Sequence, residues 1–218
     1  LITLNEEFES VEVLVEETYD NDLLTLNFKI EPTERFFVKK INILGNNITD
    51  ETVIRNQLLL DEGDPYNDIL YTKSLNKIKS LNFFKTVNSD ILKNDDGSRI
   101  INILVEEKAT GEISLGAGAG TSGATIAFGV KENNFLGRGI GLNAGASITE
   151  ETIRGKFAVT NPNYKNSDNS VYATFEAIEI DRSSDYGYKT NKTGFSFGTE
   201  FEVLNDFDFG FGLSNYYE

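Results

Sequence analysis

The sequence predicts an α+β domain of order β-α-α-β-β, followed by about seven strands that open an antiparallel transmembrane β-barrel. Glycine usage indicates two regions, because residues 1–108 contain three of the 19 glycines and residues 109–218 contain sixteen. The first region mixes helical and strand spacings, whereas the second shows only the two-residue period of strands. We therefore divide the chain near residue 109.

The α+β domain is predicted at residues 33–108 and begins with a strand at 36–45. Alternation in this strand places Phe37 on the same face as Ile41 and Ile43. Its two later strands are expected on either side of the turn sequence KNDDG, at 83–92 and 99–107.

Two helices are predicted between the first and second strands of this domain. The first begins at Thr49 or Asp50, which suit an N-cap, and ends before Gly63, which suits the C′ position. The second begins at Asn67, another good N-cap residue. Its apolar face shows helical spacing and consists of Leu70, Tyr71, Leu75, Ile78 and Leu81.

A hairpin is expected upstream of the α+β domain. Its strands lie at 11–17 and 23–31, on either side of the turn sequence TYDND. We interpret residues 1–32 as the end of a preceding unit. The chain begins with Leu and contains no Met, so we also expect it to be part of a longer or processed protein.

Residues 109–218 alternate apolar and small or polar side chains over long segments. These segments are roughly ten residues long, close to the ~9–11 residues that a tilted strand needs to cross a bilayer. A soluble sandwich has the same period, but charged residues on the polar face favour a barrel with a wet lumen. The segments are 112–120, 125–131, 139–148, 152–160, 170–182, 194–203 and 206–214, and 170–182 loses phase near Ile178.

The eighteen residues from Ile113 to Val130 carry no charge, and a transmembrane helix is the competing interpretation. Five glycines and the strict alternation of the apolar residues argue against it. We expect this segment to form the first two barrel strands, with a turn at Thr121, Ser122 and Gly123.

Composition excludes several function classes. The chain has no His and no Cys, so it lacks the commonest general base and the commonest thiolate and imidazole metal ligands. Its formal charge of −15 argues against nucleic acid as a partner. We expect no cofactor, no metal and no enzymatic activity.

Two motifs match the sequence patterns of known sites but lack the structural context that those sites require. Gly118 to Gly123 fits the dinucleotide fingerprint G-x-G-x-x-G, but a strand follows it where that site requires a helix. Gly194 to Gly198 fits the nucleophile elbow G-x-S-x-G, but Ser196 lies within an alternating strand and no His is present.

Two further motifs carry a family resemblance. "LNKIKSLNFFKTVNSDI" (75–91), within the β-α-α-β-β unit, resembles a POTRA domain. "NNFLGRG" (133–139), just after the second strand, followed by "VTNPNY" (159–164), resembles the start of the barrel in the Omp85 superfamily, most closely its BamA-like members. The resemblance implies the end of one POTRA domain at 1–32, the final POTRA domain at 33–108, and an incomplete barrel at 109–218.

The resemblance also implies a function. It suggests a bacterial outer-membrane assembly and insertion factor, with POTRA domains in the periplasm and unfolded outer-membrane proteins as clients. Accessory outer-membrane lipoproteins and the lipid bilayer are the other expected partners. The alternatives are a related translocation pore, of two-partner secretion or TamA type, and a passive porin-like channel.

The resemblance further implies four sets of residues that contact partners or shape the barrel. The seam set lies on the first barrel strand, which is weakened by glycine: Ser114, Gly116, Gly118 and Gly120. The client-contact set lies on a POTRA edge strand: Lys85, Thr86, Val87, Asn88 and Ser89. The lipoprotein-contact set is acidic: Asp61, Glu62 and Asp64. The periplasmic turn comprises Asn134, Phe135, Leu136, Gly137 and Gly139.

Each of the first two sets also has a purely structural explanation. The POTRA strand would then be a plain sheet edge, and the seam glycines would only make room in a tight lumen or allow curvature. Tyrosines near strand ends, among them Tyr172, Tyr216 and Tyr217, are expected in an aromatic girdle at the membrane interface.

Overall fold

The structure is a computed structural model that describes residues 11–20, 23–32, 36–120, 123–204 and 207–218. The predicted upstream hairpin is present within this part of the chain. Strands β1 (Val11–Asp20) and β2 (Leu23–Pro32) pair antiparallel, with Asp20 opposite Leu23. The last two residues of the predicted turn, 21 and 22, lie outside the described residues.

The α+β domain has the predicted order of elements. Strands β3 (Val38–Leu44), β4 (Phe84–Lys93) and β5 (Arg99–Glu107) form a three-stranded sheet in the order β3-β5-β4. Helices α1 (Glu51–Arg55) and α2 (Asp68–Ser80) lie between β3 and β4 in sequence. Strands β3 and β5 run parallel, which requires the long connection that the helices provide.

The N-terminus of α2 is capped as predicted. The side chain of Asn67 accepts hydrogen bonds from the N–H groups of Ile69 and Leu70, at 2.8 and 3.1 Å. Ile78 is fully buried on the predicted apolar face. Ser74 is buried beside it and satisfies its hydroxyl by accepting from Leu59 N–H and donating to the Leu70 carbonyl.

The prediction that the first helix extends to Gly63 is wrong. Helix α1 ends at Arg55, and no side-chain hydrogen bond from Asp50 caps its start. Gly63 does adopt a left-handed conformation, at φ +103°, but it lies in a loop and donates its N–H to the Val38 carbonyl at 2.7 Å. The helix does not continue to this point because Gly63 and Asp64 make backbone hydrogen bonds to Val38 of β3 instead.

The alternation predicted for the first strand is wrong at its start. The register between β3 and β5 shifts between Val38 and Lys40. The extra residue reverses the direction of the side chains before it, so Val38 is buried with Ile41 and Ile43 while Phe37 is exposed. Buried partners on β5 are Ile101, Ile103 and Val105.

The second region forms a seven-stranded antiparallel sheet in which each strand pairs with its neighbours in sequence. All seven predicted strands are present. Their bounds are β6 (Gly111–Gly120), β7 (Gly123–Phe135), β8 (Ile140–Ile148), β9 (Thr152–Asn161), β10 (Ser170–Arg182), β11 (Tyr188–Leu204) and β12 (Phe207–Tyr217). A short helix α3 (Ser183–Tyr186) joins β10 to β11. Residues 121 and 122 of the predicted first turn lie outside the described residues.

One face of this sheet is apolar across six strands. The register places in one row Ile113, Val130, Ala144, Phe157, Phe175 and Phe195. The opposite face carries small, polar and charged side chains, including Arg154 and Glu176 with a nitrogen–oxygen distance of 3.9 Å. This two-sided pattern is that of a barrel wall between lipid and a wet lumen.

The loss of phase near Ile178 has a simple cause. The register of β10 with β11 is continuous from Ser170 to Arg182, so no bulge is present there. Instead, the apolar face becomes polar, because Glu179 and Asp181 lie on it and both approach Lys189 Nζ, at 2.7 and 3.7 Å. The apolar band on this hairpin therefore ends near Ala177.

Contacts divide the chain into two compact units. The first consists of residues 1–45, 57–81 and 86–106, and the second of 46–56, 82–85 and 107–218. The second unit thus contains the β3–α1 connection, α1 and the seven-stranded sheet. No helix in the described part of the chain has the length and apolar character needed to cross a membrane.

Candidate interaction sites

The client-contact set lies on β4, at one end of the three-stranded sheet. Ser89 donates its hydroxyl hydrogen to the Asn102 carbonyl on the neighbouring strand at 3.0 Å, and Thr86 reaches Glu106 at 3.4 Å. Lys85 and Asn88 are exposed. The set therefore occupies a sheet edge whose other side has no further strand among the described residues.

The opposite edge of the same sheet is covered. The loop after α1 runs along β3, where Val38 N–H donates to the Asp64 carbonyl at 2.9 Å and Gly63 N–H to the Val38 carbonyl. Glu62 Oε1 accepts from Ile41 N–H at 3.0 Å. Of the two sheet edges, β4 is thus the one left open to an added strand.

The lipoprotein-contact set lies in this covering loop. Asp61, Glu62 and Asp64 are all exposed. Glu62 bonds to β3, and Asp64 Oδ2 accepts from Asp61 N–H at 2.8 Å, so two of the three carboxylates also hold the loop in place. This structural role was not visible in the sequence, because it depends on the loop folding back along β3.

The seam set lies on β6, the terminal strand of the seven-stranded sheet, and every residue of β6 is exposed. A Cβ placed on Gly118 or Gly120 would meet no described atom within 4 Å, and one on Gly116 would meet only Ala127 Cβ at 3.9 Å. Within the described residues, these glycines therefore do not make room for a neighbouring side chain.

Other glycines of the sheet do make room. A Cβ on Gly198 or Gly212 would lie 2.5 or 2.6 Å from the Tyr172 hydroxyl oxygen, and the Tyr216 ring lies over Gly194. Ser114 occupies the space above Gly129 in the same way. The explanation by packing thus holds for these positions and distinguishes them from Gly118 and Gly120.

The same packing corrects part of the predicted aromatic girdle. Tyr172 and Tyr216 lie on the polar face, because their register partners Gly198 and Gly194 belong to it. Tyr217 pairs with Thr193 on the opposite, apolar face. A position at the end of a strand does not reveal which face of the sheet a tyrosine occupies. Here, glycines on neighbouring strands make room for the bulky tyrosine side chains on the polar face.

The periplasmic turn is held by a buried asparagine. Asn134 is 6% exposed; its amide nitrogen donates to Thr49 Oγ1 at 2.9 Å, and its carbonyl oxygen accepts from Gly139 N–H at 2.7 Å. Asp50 N–H donates to the Gly137 carbonyl at 2.8 Å. The turn is therefore bonded to the β3–α1 connection, within the second compact unit.

Close backbone approach explains Gly137 in this turn. Its φ is +73°, and a Cβ there would overlap the Ile48 carbonyl oxygen. Gly139 has φ +66° and lies against Val53 of α1. Only glycine combines the left-handed conformation with this proximity.

Glu107 holds the other side of the same connection. Its carboxylate accepts hydrogen bonds from the N–H groups of Asn47, Ile48 and Thr49, at 2.9, 2.9 and 2.7 Å. Partial burial raises the pKa of Glu107, but the hydrogen bonds outweigh it and lower the pKa below its ordinary value. Sequence reasoning missed this residue, since a Glu at the end of a strand carries no signal of a long-range bond.

No group of three acidic side chains in the described part of the chain could hold a metal ion. The arrangement is one of strand edges, a lipid-facing sheet and a bonded turn. It defines a class of protein: a membrane β-barrel protein with an α+β domain that offers an open strand edge.

Comparison with known proteins refines this class. Residues 36–108 match the family model POTRA, described as "Surface antigen variable number repeat". The chain is 35% identical over 118 residues to outer membrane protein assembly factor BamA of Neorickettsia risticii, covering 54% of this chain and 16% of that protein. It is 29% identical over 156 residues to BamA of Neisseria meningitidis, covering 69% of this chain and 20% of that protein.

Two solved structures share the fold. The crystal structure of BamA from Haemophilus ducreyi lacking POTRA domains 1–3 superposes with a TM-score of 0.76 at 23% identity, over 96% of this chain and 41% of that one. CdiB from Acinetobacter baumannii gives a TM-score of 0.53 at 15% identity, over 90% of this chain and 39% of that one.

Residues 36–108 thus match the POTRA family, and the chain as a whole is similar to BamA proteins of the Omp85 superfamily, the family that the sequence motifs resemble. It spans between about a sixth and a fifth of the length of the two BamA relatives named above. The seven-stranded sheet accordingly belongs to the bacterial outer membrane and the POTRA domain to the periplasm.

Proposed function

We propose that this chain belongs to an outer-membrane protein assembly factor in which two strand edges receive client proteins in turn. The POTRA edge strand β4 takes up an extended client segment in the periplasm. The barrel edge strand β6 then pairs with a client strand and templates its folding at the membrane. Neither step breaks or forms a covalent bond, so no enzymatic activity is assigned.

The observation that carries this proposal is the terminal position of β6 in the sheet together with its glycine content. Strand β6 ends the seven-stranded sheet, and the space beside Gly118 and Gly120 is open among the described residues. Glycine within a strand costs conformational entropy and contributes no packing. An edge built this way exchanges pairing partners more easily than the interior strands do.

The POTRA edge supports the first step. The loop bearing Glu62 and Asp64 bonds along β3, while β4 ends the sheet on the other side. An extended chain that adds to a sheet gains main-chain hydrogen bonds whatever its sequence. This suits a receptor for many different clients.

The test is disulfide capture of a client during assembly. The chain has no native Cys, so Ser114→Cys on β6 and Ser196→Cys on β11 provide two single probes within these residues. Both serines lie on the polar face, but Ser196 lies in an interior strand. We expect a client with one cysteine in a terminal strand to crosslink to Ser114→Cys and not to Ser196→Cys.

The same experiment separates the alternatives. Capture at Ser196→Cys in preference to Ser114→Cys would mean passage through the lumen and would favour a translocation pore of the same superfamily. The CdiB likeness is compatible with such a pore, but its TM-score of 0.53 is below the 0.76 of the BamA structure. Absence of capture at both positions would contradict the templating role and leave a passive channel.

Contact with an accessory lipoprotein at the 61–64 loop is a separate part of the proposal. Its basis is the exposure of three carboxylates on one loop of a POTRA domain. Asp61→Lys reverses one charge and keeps the bonds made by Glu62 and Asp64. We expect reduced co-purification of a lipoprotein with this variant, and unchanged co-purification would argue against the contact.

A further inference from the structure

Two large apolar side chains project from a firmly bonded region of the second compact unit. Ile48, in the β3–α1 connection, is 70% exposed, and Leu136, in the periplasmic turn, is 72% exposed. Their surroundings are otherwise well buried, as Thr49 and Asn134 show at 3% and 6%. Two exposed apolar side chains at one place form a candidate surface for contact with an apolar medium.

The position of the turn relative to the lipid-facing rows identifies that medium. Ile113 and Val130 form an outward-facing pair, and the next pair toward the periplasm, Gly111 and Glu132, is no longer apolar. Beyond the bulge in β7, Phe135 stands opposite Ile140 and continues the same face. Leu136 follows directly in the chain, next to the last apolar pair of this face.

Ile48 shares this location. Its backbone contacts Gly137, and Ile48, Phe135 and Leu136 line one cleft of about 390 Å³ together with Glu132. Phe83 also lines the cleft and is buried. Apolar atoms make up most of the lining surface of the cleft, although Glu107, Lys108 and Thr110 also line it. Phe135 belongs both to the cleft and to the apolar face of the sheet.

The backbone of both projecting residues is fixed in advance. The Glu107 carboxylate accepts from Ile48 N–H, and Glu132 Oε1 accepts from Asn134 N–H at 2.7 Å. Asp50 N–H bonds to Gly137 on the other side of Leu136. The two side chains are therefore presented by a rigid support and do not depend on a flexible loop.

Leu136 adds an independent argument. Its φ is +55°, a left-handed conformation that is unfavourable for leucine and that turns usually assign to Gly or Asn. An exposed leucine at this position is disfavoured first by its backbone conformation and second by the contact of its apolar side chain with water. Contact with acyl chains would remove the second of these penalties and gives a physical reason for the residue.

We propose that Ile48 and Leu136 insert into the periplasmic leaflet of the outer membrane and anchor the β3–α1 connection to lipid. The anchor would fix α1 and its connection at the membrane surface through contacts that do not involve any partner protein. The inference rests on the membrane location of the sheet and is independent of the proposed assembly activity.

Tryptophan fluorescence tests the anchor, because residues 1–218 contain no native Trp. Ile48→Trp and Leu136→Trp are placed singly in the complete gene product, with any Trp outside these residues changed to Phe. The protein is reconstituted in phosphatidylcholine vesicles brominated either near the headgroup or near the chain end. Val130→Trp serves as the inserted control, and Ile69→Trp, at an exposed apolar position of α2, as the aqueous control.

We expect blue-shifted emission from both anchor variants and stronger quenching by bromine near the headgroup than near the chain end. Emission and acrylamide quenching equal to those of Ile69→Trp would overturn the proposal. Protection from acrylamide without quenching by brominated lipid would also overturn it, since a protein would then cover the site. Quenching of Val130→Trp confirms insertion of the sheet in each case, and its absence would overturn the membrane location on which the anchor rests.

Discussion

The weakness of β6 can be measured by replacing its glycines. In the Gly116→Ala/Gly118→Ala/Gly120→Ala variant, each added Cβ meets nothing closer than 3.9 Å among the described atoms, so no clash opposes the change. Glycine in a strand interior costs about 0.5–1 kcal/mol relative to alanine. Three substitutions should therefore stabilise the strand by about 1.5–3 kcal/mol, which is about ten- to a hundredfold in the equilibrium of local opening.

Amide hydrogen exchange measures this opening directly. We expect exchange from β6 to slow by one to two orders of magnitude and client assembly to slow with it. The matched control is Gly145→Ala in the interior strand β8, where a Cβ would lie 3.6 Å from the Phe128 carbonyl oxygen. Unchanged exchange in β6, or slower exchange with normal client assembly, would refute the link between glycine content and templating.

Three further predictions concern the POTRA edge and the bonded turn. Val87→Pro removes a backbone N–H of the edge strand β4 and should impair client assembly while the POTRA domain stays folded, whereas Val87→Thr, which keeps the N–H, should not impair it. Equal activity of the two variants would contradict edge pairing. Asn134→Ala removes the bond to the buried Thr49 hydroxyl, which keeps Glu107 as a partner, and leaves the Gly139 N–H without its partner. It should lower the free energy of unfolding by about 1–3 kcal/mol in denaturant titrations, against less than about 1 kcal/mol for Asn133→Ala. Glu107→Gln should cost about 1–2 kcal/mol at neutral pH, where the wild-type carboxylate is charged.

The pH dependence of the Glu107 contribution has a definite sign. Its folded pKa is lowered from the ordinary value of 4.5, so the stabilisation is fully present above that value. It is lost as the pH falls through the lower, folded pKa. Glu107→Gln should therefore lose stability relative to wild type mainly above pH 4.5 and approach it in acid; a constant difference across the titration would exclude a charge-based role.

Much of the fold was predictable because its signals are local. The alternation of Ile113 to Ala119 depends only on the two-residue period of a strand, and the helix start at Asn67 depends on a side chain two and three residues from its donors. The POTRA and barrel motifs likewise are contiguous stretches of sequence. The end of α1 could not be predicted in this way, because the loop near Gly63 bonds to Val38, which lies far away in sequence.

The candidate sites likewise combine local signals, which the sequence shows, with long-range contacts, which only the fold shows. Glycine content marked β6 as a weak strand, but only its place at the end of the sheet and the open space beside Gly118 separated weakness from packing. The motif NNFLGRG marked the periplasmic turn, but its bonds to Thr49 and Asp50 join residues more than eighty positions apart. The face of Tyr172 was likewise decided by Gly198 and Gly212 on two other strands.

The sequence by itself determined that this protein combines an α+β domain with a lipid-facing sheet, since periodicity and composition record which side of each strand meets an apolar medium. Tertiary structure alone decided which carboxylates are already bonded, which glycines make room for tyrosine, and that Ile48 and Leu136 line the same cleft. Edges and shared surfaces arise from the pairing of distant segments. No local pattern specifies that pairing until the chain has folded.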